Sequence, residues 1–133
     1  MDGQSAAART VTLKPVKPLT VYILPHSHTD IGYTEIQTDI EKKQVNNLLE
    51  GIAHARKTAA YPEGARFVWN VEVLWAADLY LNRLGDKERA DFLAAVSQGQ
   101  VSLCGMYLNE LTGLCRPEEL VRIFRYATQL GEC

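Results

Sequence analysis

A short apolar run, Val21 to Leu24, is followed by a helical rhythm at Val45, Leu48, Leu49 and Ile52 and then by a second apolar run, Ala65 to Val71. That order leaves few folds open. Short runs of β-branched and aromatic residues suit strands, whereas i, i+3, i+4, i+7 spacing lays an apolar stripe along one helix face. A strand, a helix and a strand of these lengths most simply form a right-handed βαβ unit with parallel strands.

Pro25 stops the first run, and Gly32 lets the chain turn before the helix, expected from about Glu35 to Ala59. Thr34 with Gln37, or Thr38 with Glu41, supplies a capping-box pattern at its start. His26, His28 and Asp30 therefore fall in a strand-to-helix loop at the carboxyl end of a strand, where open α/β sheets gather their ligands. The second strand, Phe67 to Val71, delivers Asn70 and Glu72 to the same edge. Glu72 is open to two readings, a polar group in the site or the first-turn acid of the next helix. Trp69 and Trp75 are read as core residues first and as aromatic platforms for a ligand second.

A helix from Leu74 to Leu84 ended by Gly85, a second one capped by Asp86 with Phe92, Leu93 and Val96 inside, and a third strand near Val101 to Cys104 complete the pattern. Pro117 opens a last helix carrying Leu120, Val121, Phe124, Ala127 and Leu130. The expected architecture is α/β, an incomplete three-stranded, mostly parallel sheet with flanking helices. Residues 1–18 read as a flexible tail and 19–133 as one domain. Three parallel strands leave an open apolar edge through which the chain can associate.

Composition narrows the class. Of 133 residues 47% are hydrophobic and 23% charged, and the formal charge of -2 gives no general attraction to nucleic acid or to an anionic membrane. No signal-peptide pattern or membrane-length apolar run is present, so the expected location is cytoplasmic. Cys104, Cys115 and Cys133 are odd in number and lack C-x-x-C spacing, and are read as reduced thiols.

An imidazole and a carboxylate are zinc ligands, and His28 with Asp30 at i, i+2 can point the same way from an extended loop. The string His26-Ser27-His28-Thr29-Asp30-Ile31-Gly32-Tyr33 resembles the opening motif of the glycoside hydrolase family 38 α-mannosidases, H-S-H-x-D-x-G followed by an aromatic. The resemblance extends loosely from about Thr20 to Leu120. It implies the start of the seven-stranded-type, barrel-like α/β domain of that family, a Zn²⁺ cofactor held by His28 and Asp30, and Tyr33 against a terminal α-mannose. It also implies a retaining hydrolase, in which one carboxylate attacks the anomeric carbon and another protonates the leaving oxygen. Zinc in that scheme holds two sugar hydroxyls and helps to distort the ring.

In the family a later aspartate is nucleophile and metal ligand, and a later histidine completes the zinc site. After Asp91 this sequence has neither aspartate nor histidine, so the nucleophile is expected beyond Cys133 and the chain reads as a fragment, inactive by itself. Glu72 and Glu110 stand as accessory carboxyls. Two other readings use the same residues: a non-catalytic carbohydrate-binding or interaction remnant, and a binuclear metallohydrolase of the amidohydrolase type. The latter needs both His26 and His28 on metal and further histidines, of which the sequence has only His54.

Overall fold

A computed structural model describes residues 10–131. The first nine residues of the expected tail, and Cys133, lie outside them. In chain order the elements are α1 (Gln37–Lys57), β1 (Trp69–Val71), α2 (Leu74–Arg83), α3 (Asp86–Ser97), β2 (Val101–Leu103), a 3₁₀ turn (Thr112–Leu114), α4 (Pro117–Arg122) and α5 (Arg125–Gly131). β1 and β2 pair in parallel, with Trp69 opposite Val101 and Val71 opposite Leu103. The α/β class and the parallel sense agree with the sequence.

The three-stranded sheet does not form. In place of the expected strand from Val21 to Leu24 there is one parallel bridge, His26 opposite Asn70, where the Asn70 N–H donates to the Pro25 carbonyl at 3.1 Å. Extended along the chain, that register would set Leu24 opposite Val68 and Val21 opposite Ala65, but the chain before Phe67 is a turn, with the Ala65 N–H on the Pro62 carbonyl at 3.0 Å. Without a ladder or a covering layer the apolar run has nothing to pack on, and Val21 to Leu24 stand 64–87% exposed. Propensity for a strand is realised only against a partner.

The core lies between the helices and the short sheet. α1 contributes Leu48 and Ile52, β1 Val71, α2 Leu74, Ala77 and Tyr80, α3 Phe92 and Ala95, and β2 Val101, all buried. α1 starts without side-chain capping, at Ile36. Neither expected capping box forms, because neither Thr34 nor Thr38 falls at the N-cap; the Gln37 amide turns to Glu41 at 3.1 Å. Gly99, at φ 69°, ends α3: its N–H donates to the Val96 carbonyl and that of Gln100 to the Ala95 carbonyl. This left-handed cap reverses the chain directly into β2. The single last helix breaks into α4 and α5, where the Ile123 carbonyl accepts the Tyr107 N–H at 3.1 Å. Cys104 and Cys115 are free thiols. No helix among the described residues is long and apolar enough to cross a membrane.

Candidate functional site

Three segments meet at the carboxyl end of β1. The loop from His26 to Asp30 crosses above it, Glu72 follows the strand directly, and the loop after β2 brings Asn109. Local chemistry explains why that last loop sits here. α2 begins at Leu74 without side-chain capping, and its Leu74 and Trp75 N–H groups donate to the carbonyls of Met106 and Tyr107, each at 2.9 Å. The unpaired amides at a helix start need acceptors, and here a neighbouring loop provides them.

The motif loop is also tied to α1. Asn47 donates to the Ser27 hydroxyl at 2.9 Å, and Gln44, 5% exposed, donates to the Thr29 hydroxyl at 3.3 Å. The Gln44 carbonyl in turn accepts the Tyr80 hydroxyl at 2.8 Å. Gln44, one turn before Leu48 on the buried face of α1, and Asn47 beside it thus hold the loop.

Glu72 is the hub. Its Oε1 is 2.9 Å from His28 Nδ1 and 3.6 Å from His26 Nδ1. Its Oε2 accepts the Thr29 N–H at 2.7 Å and the Asn109 amide at 3.2 Å. The reading of Glu72 as a first-turn acid of α2 is therefore wrong, and the first turn of α2 contains no acidic residue. Asn109 went unassigned in the sequence; the signal for it was its place in a loop after a parallel strand, on the same edge as the motif.

Beside this hub lies a groove of about 440 Å³ walled by His28, Asp30, Leu108, Asn109 and Glu110. His28 and Asp30 come together there. Tyr33 stands 91% exposed farther along the loop. His26 approaches Glu72 as well, so the two histidines share a carboxylate. Among the described residues no group of three or more His, Cys, Asp or Glu is disposed to hold a metal ion. The Glu72 carboxylate takes one ring nitrogen of His28 and leaves the other without a protein partner from that contact; imidazole and carboxylate are both donor types that zinc accepts.

The charges respond to this geometry. The hydrogen bond to Glu72 raises the His28 pKa above its ordinary 6.5, helped by the Glu72 charge and, more weakly, by Asp30. Burial pushes the Glu72 carboxyl up, but hydrogen bonds from His28, Thr29 and Asn109 outweigh it and leave it below its ordinary 4.5. The His28 contribution to stability is thus complete below pH 6.5 and is lost as pH rises through its folded-state value. That of Glu72 is present above pH 4.5 and is lost as pH falls through its own. In the metal-free chain, His28 should titrate above 6.5 by nuclear magnetic resonance, and Glu72→Gln should return it toward that value. An unchanged titration in the variant contradicts the pairing.

The family model described as glycosyl hydrolases family 38 N-terminal domain matches residues 18–131. Neither a curated protein nor a solved structure matches the chain.

Proposed function

We propose, for a chain that belongs to glycosyl hydrolase family 38 through its N-terminal domain, that the groove beside Glu72 is the metal and sugar side of an α-mannosidase-type site. His28 and Asp30 would hold Zn²⁺, and the terminal α-mannose would lie along the groove toward Tyr33. The observation that carries this reading is the placement of His28 and Asp30 on one groove wall, with a carboxylate behind the imidazole. Bound zinc supplies a Lewis acid that orients sugar hydroxyls.

The chain's own groups suit binding better than bond cleavage. A retaining glycosidase needs an ionised carboxylate as nucleophile and a second carboxyl, its pKa raised, as acid. Glu72 is shifted the opposite way and its oxygens are engaged. Asp30 is assigned to the metal. Glu110, on the groove wall, accepts a hydrogen bond from the Cys115 thiol at 3.5 Å. None of the three is arranged as an acid and nucleophile pair, so positioning of the sugar is the part of the chemistry proposed for these residues.

Two protein ligands leave zinc largely hydrated, whereas most sites give it three or four. Calorimetric titration of the chain with zinc should therefore show weak binding that His28→Ala and Asp30→Ala each abolish, with no turnover of an activated aryl α-mannoside. Zinc binding indifferent to both substitutions sinks the assignment. Tight binding together with turnover shows a complete site on this chain. Zinc dependence that also requires His26 favours the binuclear hydrolase reading.

A further inference from the structure

The four contacts of Glu72 constrain what it can do. An ionised carboxylate offers about four lone-pair positions and no donor. His28, Thr29 and Asn109 occupy three of them, and His26 Nδ1 stands 3.6 Å from Oε1. The side chain is 19% exposed, against 68% for His28. It sits behind the imidazole, away from the open groove. A residue so placed and so engaged is poorly available to a metal ion or a sugar.

What it can do is impose an orientation. A carboxylate accepts only, so the proton of the neutral imidazole must sit on Nδ1, and Nε2 keeps its lone pair. The same carboxylate, through Oε2, holds the main-chain N–H of Thr29, the residue between His28 and Asp30. One side chain therefore controls both the tautomer of the first ligand and the backbone that separates it from the second. Thr29 is 8% exposed and further held by Gln44, so this backbone has little freedom.

We propose that Glu72 is the positioning residue of the site: it keeps His28 in the Nδ1–H tautomer, with Nε2 open to a ligand, and fixes the main chain joining His28 to Asp30. This rests on the metal-site reading above for its purpose, but not for its geometry. Carboxylates behind ligating histidines raise metal affinity by fixing ring orientation.

Glu72→Gln separates the roles. The Oε2 side meets two donors, Thr29 N–H and the Asn109 amide, whereas Oε1 meets His28. The glutamine carbonyl oxygen should stay with the two donors, which turns its NH₂ toward His28 Nδ1. A donor there forces the proton to Nε2. The experiment is long-range ¹⁵N–¹H correlation of the imidazoles in the metal-free chain at about pH 9, above the ordinary imidazole range, followed by titration with zinc alone. The unmodified chain should show His28 as Nδ1–H, and Glu72→Gln as Nε2–H with zinc affinity lowered about 10–100-fold. His54, on α1 and remote from Glu72, serves as the internal control, and a thermal melt establishes that the variant is folded.

Nε2–H in the unmodified chain overturns the proposal, as does a folded Glu72→Gln with tautomer and zinc affinity unchanged. Should the unmodified chain bind no zinc, the metal-site reading falls and the tautomer still decides. Nδ1–H lost in Glu72→Gln upholds the role of Glu72, and Nε2–H in both proteins overturns it.

Discussion

Phe92→Ala is expected to destabilise the protein by about 3–5 kcal/mol, the range for removing a fully buried aromatic ring. Phe92 is 1% exposed on α3 and packs edge-on against Tyr80 of α2, with ring centroids 5.6 Å apart at 71°. Tyr80 is equally buried, and its hydroxyl reaches the Gln44 carbonyl of α1. The lost ring is therefore the joint of three helices, and α1 cannot close the cavity without moving Tyr80. Domains of this size have only about 5–15 kcal/mol in total, so a large share of the stability goes with one side chain. Urea unfolding should show a lower midpoint at unchanged slope. The effect should reach the site, because Val71, Val73 and Leu74, which flank Glu72, belong to the same buried set. A loss below about 1 kcal/mol, typical of an exposed position, would mean that α3 is not anchored through this ring.

Gly51→Ala should also destabilise, against the usual direction for a helix interior. Alanine in place of glycine normally favours a helix by about 1 kcal/mol. Here a Cβ at position 51 would lie 2.6 Å from Cγ and 2.7 Å from Cδ2 of Trp69, far inside van der Waals contact. The indole has little room to retreat: its backbone is paired in β1 with Val101, and its ring stacks on Phe67 at 6.4 Å. Overpacking of this kind costs about 1–3 kcal/mol. We expect a net loss in that range, with a change in tryptophan emission as the ring shifts. Gly51→Ala in a Trp69→Ala background should lose its penalty and recover the helix gain. A penalty unchanged by removal of the indole rules out this contact as the cause.

The helices were legible in the sequence because their signals are local. Leu48 and Ile52 point inward as their spacing requires, and Pro117 stands at the start of α4 where backbone chemistry puts it, whereas Gly85, in place of the expected Asp86, is the N-cap of α3. The parallel sense of β1 and β2 was legible too, since a strand, two helices and a strand leave few right-handed alternatives. The motif loop lies over the carboxyl end of β1 as expected, although the strand expected to deliver it there is reduced to one bridge.

What only the tertiary structure decided depends on partners distant along the chain. A strand exists when another strand faces it, and Val21 to Leu24, with full propensity, stayed unpaired because the ladder stops at the single His26–Asn70 bridge. The reason for Gly51 in the middle of α1 is an indole 18 positions away that needs the space. Gln44 and Asn47, given no role by the sequence pattern, are loop anchors. Glu72 carried two readings, and spacing had no means of separating them. The choice was made by a main-chain N–H 43 residues away and an amide 37 residues away: periodicity reports which face of an element is buried, but a hydrogen-bond acceptor takes its role from whatever donors the fold brings within 3 Å.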